Sequence, residues 1–465
     1  MLKLYNTKSH SVEEFVPLND GKVKMYGCGP TVYNLAHIGN LRAFVFYDVL
    51  NRVLRYKGYE VTFAMNITDV DDKTIRDSAA SGKTLKEFTR HYTELFFKDW
   101  DALNLKRPDK VICATDEIDA MIDLINRLLE KGHAYKAESG DVFFKISSFK
   151  EYGRMAGIDP SRMLVNADGR LADEYDKEDA RDFALWKAWT PRDGDNAWEA
   201  PFGRGRPGWH IECSAMAHKH LGQPFDIHMG GVDLVFPHHT NEIAQSECAY
   251  GCEFVKYWMH NEHITVNGQK MSKSLGNCFT LTDLLSKGYS AAAIRYEFIK
   301  SHYHQRMDFM ESNLNGNQTV INRFEDFLKR LSEVKTGSGW GELPEVLKKA
   351  SEGFEKGLDD DLNLSVALAS VFELMNTVNK NFSSLSMEDA EKITSQMRRF
   401  DEVLGIMPEI KEETLQADIQ ELIDRRQACR LVKDWAAADA LKQELLALGI
   451  EVKDTPQGPV WRKVQ

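Results

Sequence analysis

A chain of 465 residues, 43% hydrophobic and 28% charged, is long enough to hold several domains with buried cores. Its net charge of -12 excludes a surface built for indiscriminate polyanion binding, so any nucleic-acid contact has to be a local basic patch. Seven scattered cysteines without dense spacing argue against a disulfide framework, and no apolar run is long enough to span a membrane, so the cytoplasm is the expected compartment.

In chain order, "KVKMYGC" (22–28) predicts a short buried strand, and the recurrence of Leu41, Phe44, Val45, Val49, Val53 and Leu54 predicts a helix that Gly58 stops. The segment Val61 to Ile67 then predicts a second buried strand. Strand, helix and strand make half of a doubly wound parallel sheet with a right-handed crossover. Ligands of such sheets bind beyond the carboxyl ends of the strands, where Cys28 and Thr68 fall. From 112 to 206 the pattern changes to a helix, a strand-like "GDVFFKI" and a charged run, read as an insertion between two halves of the sheet. Helix, strand, loop and helix resume with "GWHIECSAMAHKHLG" and "PFDIHMGGVDLVFPHH". The stretch from about 311 to 405 reads as helical, broken by the connector "KTGSGWGELP". A tail from about 415 has two helical patterns and two short strands around a Pro-Gln-Gly turn.

Within "VFPHHTNEIAQSE" (235–247), Pro237 can open a helix, and His238 and Glu242 then lie four residues apart on one face. On spacing alone, the pair is either a metal half-site or two polar residues on a wet helix face. Two further motifs carry little singly. "TVYNLAHIGNLR" puts His37 and Asn40 before the first helix, whose N-terminus offers free N–H groups to an anion. "QKMSKSLGN" puts Lys270 and Lys273 on a Gly- and Ser-bearing loop.

Together, in this order and on this sheet pattern, the two motifs resemble the HIGH and KMSKS signatures of class I aminoacyl-tRNA synthetases. Through "MYGCGPTVY", "NITDVDDK", "RPGWHIECSAM", "FDIHMGGVDLVFPHHTNEIAQSE", "KMSKSLGN" and "KDWAAADALK", the resemblance narrows to cysteinyl-tRNA synthetases and covers nearly the whole chain. It implies an α/β fold: a doubly wound Rossmann-type parallel sheet (1–111 and 207–255) with an inserted connective domain (112–206). After it are expected a KMSKS and stem-contact region (256–310), a helical bundle (311–405) and a small mixed anticodon-binding tail (406–465).

The resemblance also supplies partners for His238 and Glu242, in a zinc ion held by Cys28, Cys213, His238 and Glu242. Two thiolates, an imidazole and a carboxylate are a zinc-type donor set. Four protein ligands usually mark a closed structural site, whereas the position of Cys28 at a strand end favours a site that meets substrate. The family explanation is that this zinc takes the substrate thiolate as an extra ligand, a contact that serine and alanine lack. Cys28, Thr68, Trp209 and His228 match positions around the substrate cysteine.

The implied reaction is ATP-dependent formation of cysteinyl-adenylate, followed by transfer to tRNA(Cys). Lys270, Lys273, His37 and Asn40 would act on the triphosphate, with Mg²⁺ accompanying ATP. Gly230, Gly231 and Asp233 match the adenosine-binding loop. Asn40 departs from the family's second histidine: it keeps N–H donors but cannot become cationic. In the tail, a local basic excess accompanies Arg430, Trp435, Asp439 and Asp454, which match positions that read the anticodon loop. A monomer without membrane attachment is expected. Two other readings stand beside the first: a ligase that joins cysteine to a small amino sugar, and a non-enzymatic zinc protein that binds RNA.

Overall fold

The computed structural model describes residues 1–159, 181–271, 275–335, 337–410, 417–455 and 458–463. Five parallel strands form the central sheet: β1 (Lys22–Gly27), β2 (Glu60–Ile67), β3 (Lys110–Cys113), β4 (Phe225–Gly231) and β5 (Val255–Asn261), in the order β5-β4-β1-β2-β3. Apart from their first and third residues, β1 and β2 are buried, as expected of strands covered by helices on both faces. The register pairs Gly27 with both Met65 and Met229, so the ends of β1, β2 and β4 lie side by side. The chain runs outward from β1 through β2 to β3, then returns on the other side of β1 as β4 and β5. The switch point is therefore between β1 and β4, where a doubly wound sheet opens a crevice for ligands.

Helix α1 (Ile38–Tyr56) crosses from β1 to β2 and buries the predicted apolar positions; Gly58, at φ +91°, turns the chain into β2. Helices α2 (Trp209–Leu221) and α3 (Thr240–Tyr250) flank β4 in sequence. Helix α3 opens three residues later than the Pro237 start expected from sequence. Phe236, preceding proline, is held in an extended conformation (φ -139°, ψ 132°), so His238 sits in a short turn leading into the helix.

Between β3 and α2, strands Ala134–Lys136, Val142–Phe144, Phe183–Ala188 and Gly205–Pro207 form an antiparallel sheet; of the four, only Val142–Phe144, within "GDVFFKI", reads as a strand in the sequence. The charged run 166–182 lies almost wholly outside the described residues. After β5, a small sheet joins β6 (Ile264–Val266) to β7 (Gln269–Lys270) and β8 (Met307–Phe309). Helix α4 (Ala291–Ile299) lies between β7 and β8 in sequence. Four helices follow, Asn313–Ser332, Leu343–Asp359, Leu364–Lys380 and α5 (Met387–Leu404), so the helical stretch has two breaks besides the connector seen in the sequence.

The chain divides into compact units at Met1–Pro408 and Glu409–Gln465. The second contains helices Ala417–Leu431 and Trp435–Ala447 and a hairpin, Ile450–Thr455 with Gly458–Lys463, around Ile423, Leu445, Ile450 and Val452. Pro456 and Gln457 of the expected turn lie outside the described residues. Among the described residues, no helix is long and apolar enough to cross a membrane.

Candidate active site and metal centre

Cys28 leaves β1 at the switch point, Cys213 comes from α2, His238 from the turn before α3, and Glu242 from the first turn of α3. One donor atom from each lies within 4.8 Å of all the others, and all four side chains are buried. The Cys28 and Cys213 sulfurs are 3.8 Å apart, and His238 Nε2 is 3.0 Å from Glu242 Oε1. His238 and Glu242 therefore do not lie on a wet helix face. Four donors of zinc-type chemistry converge in a dry pocket, and they fit such an ion.

The electrostatics support ligation. Cys28 and His238 hydrogen bonds outweigh burial and bring the Cys213 thiol down to about 6. Burial raises Glu242, but His228 and His238 overcome it and hold the carboxyl at about 2. Burial similarly opposes protonation of His238, yet Glu242 and Cys213 lift it to about 10, so a metal held here would have to displace a proton from this ring.

Sequence reasoning missed His239. Its Nε2 is 3.2 Å from Cys28 Sγ, and with Cys28, His228 and Glu242 it makes a second compact donor group. Its Nδ1 is 2.7 Å from His260 Nε2, and His260 Nδ1 is 2.8 Å from Thr7 Oγ1, giving a buried relay away from Cys28. The two adjacent histidines in "PHHT" were the available signal; His260 is distant in sequence and gave none.

His228 lies behind Glu242, its Nε2 2.9 Å from Oε2 and its side chain fully buried. Trp209 is partly open to solvent and packs on the His238 ring at 4.3 Å between centroids. Thr68 donates its hydroxyl to Glu212 Oε2 at 2.7 Å, while Glu212 Oε1 is buried without a protein partner among the described residues. Burial pushes the Glu212 carboxyl well above the usual range, against a downward pull from Thr68. Gly29 forms the floor between the strand ends: its N–H donates to Asn66 Oδ1 at 2.8 Å, and a Cβ there would lie 1.6 Å from the Asn66 carbonyl oxygen.

His37 is the N-cap of α1. Its Nδ1 accepts from the Asn40 N–H at 3.2 Å, and Asn40 Oδ1 accepts from the His37 N–H at 3.2 Å. This reciprocal cap assigns the proton of the neutral ring to Nε2, and leaves Asn40 its Nδ2 donors. Gly39 lies between the two motifs, because a Cβ there would meet Met271 Cε at 2.7 Å. Ile38 N–H also donates to the Phe279 carbonyl beyond the lysine loop. Lys270 is exposed at the end of β7; Lys273 lies outside the described residues.

Gly230 and Gly231 end β4, and Asp233 is exposed just beyond. A Cβ on Gly230 would strike the His239 ring at 2.5 Å, so this glycine also makes room for the buried histidines. In the second unit, Arg430 lies over Trp435 at 5.4 Å and reaches Asp454 at 3.3 Å, while Asp454 is gripped by both Arg426 Nη atoms at 2.9 and 2.8 Å. Asp439 is exposed on the second helix of this unit.

The fold and the paired motifs define a class I aminoacyl-tRNA synthetase. Mycobacterium tuberculosis methionyl-tRNA synthetase in complex with methionyl-adenylate superposes with a TM-score of 0.60, covering 83% of this chain and 90% of that one at 17% identity. Residues 14–319 match the tRNA synthetases class I (C) catalytic domain, 353–408 the DALR domain, and 412–462 the cysteinyl-tRNA ligase anticodon binding domain. Cysteine--tRNA ligase of Brachyspira hyodysenteriae is 46% identical over 99% of this chain and 98% of its own, and that of Methanosarcina mazei is 43% identical over 100% and 99%. The chain belongs to the cysteine--tRNA ligase family.

Proposed function

We infer that this protein joins L-cysteine to tRNA(Cys) in the cytoplasm, through a cysteinyl-adenylate made from ATP, and that a single chain suffices. The observation that carries this reading is the convergence of Cys28, Cys213, His238 and Glu242 at the switch point of the sheet, where β1 ends before the capped turn at His37. These four side chains would hold a zinc ion, which when bound supplies a soft Lewis acid to a substrate thiolate. His228 orients Glu242, and Trp209 walls the pocket against His238. The buried Oε1 of Glu212, unpartnered among the described residues while Thr68 holds Oε2, would offer an acceptor to the substrate ammonium.

Activation requires the cysteine carboxylate to attack the α-phosphate while pyrophosphate leaves, so negative charge develops on the phosphates. The Nε2–H of His37 and the Nδ2 donors of Asn40 serve one side of that charge, and Lys270 with Lys273 serves the other. Mg²⁺ accompanies ATP. Gly230 and Gly231 let the nucleotide approach the backbone, and Asp233 accepts from ribose hydroxyls. Arg430, Trp435, Asp439 and Asp454 offer stacking and hydrogen bonds to unstacked anticodon bases. For Asp454, the pairing with Arg426 fixes the carboxylate in place.

The test combines cysteine-dependent pyrophosphate exchange with charging of tRNA(Cys). Exchange without charging, but with cysteine transfer to an amino sugar, selects the alternative ligase. Loss of both activities refutes the enzymatic reading.

A further inference from the structure

Arg42 has no part in the chemistry proposed above, yet it is 2% exposed. It lies five residues after His37, inside α1, and its guanidinium binds backbone carbonyls from two separate segments. Nη1 donates to Glu262 at 2.7 Å and His263 at 2.9 Å. Nη2 donates to Gln305 at 2.6 Å and His302 at 3.3 Å, with Tyr303 at 3.5 Å. Residues 262–263 lead into β6, the central strand of the small sheet, and residues 302–305 lead into β8, the edge strand paired with it. Strand β7 pairs with β6 through Thr265 and Lys270, so the sheet delivers the lysine loop.

We propose that Arg42 is a positioning residue for ATP: it locks both roots of the lysine-bearing sheet to the helix that starts at His37. This rests on the reading that Lys270 and Lys273 act on the phosphates. The geometry explains why arginine is needed. A planar fork with several donors satisfies carbonyls from both segments at once, whereas a lysine ammonium is a single point that serves one. Carbonyl dipoles keep a buried cation that no carboxylate bonds among the described residues, which is costly unless the group fixes something. The contacts among Gly39, Met271, Ile38 and Phe279 bring the motifs together at their tips; Arg42 brings them together at their base.

The experiment compares Arg42→Lys, Arg42→Met and Lys273→Ala in cysteine-dependent pyrophosphate exchange with ATP varied, alongside equilibrium cysteine binding without ATP and thermal unfolding. For both Arg42 variants, kcat is expected to fall about tenfold or more and the ATP KM to rise, while cysteine affinity stays within about twofold. Parental kcat and ATP KM in Arg42→Lys, with Lys273→Ala impaired, overturn the Arg42 assignment alone. Equal losses for cysteine and ATP, or failure of Arg42→Lys to fold, assign Arg42 to general stability and overturn it too. Parental exchange in Lys273→Ala overturns the phosphate reading, and this inference with it.

Discussion

Replacing Asp48 by Asn should destabilise the first unit far more than its small change in size suggests. Asp48 lies on α1, and its Oδ2 accepts from Arg52 Nε at 2.7 Å and Arg295 Nη2 at 2.6 Å, while Oδ1 accepts from the Lys106 N–H at 2.7 Å. Arg295, on α4, is fully buried and also donates to the carbonyls of Leu404 at 2.7 Å and Leu103 at 3.2 Å. Asparagine can keep the backbone bond but removes the charge facing both guanidinium groups. At about 1.5–3 kcal/mol for each charge-assisted bond, the loss is about 3–6 kcal/mol, consistent with the cost of orphaning a buried charge. A unit of 408 residues unfolds with an entropy of about 2.1 cal/mol/K per residue. One kcal/mol therefore moves its midpoint by about 1.2 °C, and the variant should melt about 4–7 °C lower. Differential scanning calorimetry measures this, with Glu373→Gln as the control. That residue pairs with Lys349 on the surface, and its loss should leave the midpoint unchanged. The double variant Asp48→Asn with Arg295→Met should recover part of the loss, because the stranded charge is gone. A midpoint within 1 °C of the parent for Asp48→Asn alone would show that the carbonyls at Leu404 and Leu103 suffice to hold Arg295.

Other outcomes follow from different parts of the molecule. Burial pushes the Asp99 carboxyl up to about 6, against a smaller pull from Lys98, so its ionisation opposes folding: the cost is absent below about pH 4 and complete above about pH 6. After discounting for partial solvation, Asp99→Asn should add about 1–2 kcal/mol at pH 8 and nothing at pH 3.5, read from denaturant midpoints at both pH values. An equal gain at both would deny the ionic origin. Cys213→Ser should lose more affinity for cysteine than for ATP. In the cobalt-substituted parent, cysteine should strengthen the thiolate charge-transfer band and serine should not; an unmoved spectrum at cysteine saturation would make the ion a structural clamp. Deleting residues 409–465 should abolish tRNA charging while sparing pyrophosphate exchange, and equal loss of both would show that the tail supports the fold.

The sequence disclosed most where chemistry restricts residue type. β1, α1 and β2 were legible because burial imposes a period on their apolar residues, whereas Cys28, Cys213, His238 and Glu242 were brought together only by the family resemblance, since spacing alone left His238 and Glu242 open between a metal half-site and a wet helix face. The start of α3 was misplaced because proline favours a first turn and also extends the residue before it, and here the second effect prevailed at Phe236. Arg42 and the pair of Asp48 with Arg295 were illegible for another reason. Their partners are backbone carbonyls or a residue 247 positions away, and neither leaves a local pattern. Glu212 was equally hidden, since a carboxylate in a helix reads as solvent-facing until Thr68 is found beneath it.

The crossing at Gly29 sets a limit on how this pocket can be redesigned. Where a Cβ would come within 1.6 Å of a carbonyl oxygen, the two chain segments touch with no side chain between them, so the spacing of Cys28 from Asn66 and Thr68 is fixed by peptide groups. Substitutions at Trp209 or Thr68 can reshape the walls of the chamber, but its floor cannot be lowered by exchanging side chains. A pocket for a longer amino acid has to be gained laterally, or by rebuilding the backbone from Cys28 to Thr31 as one piece.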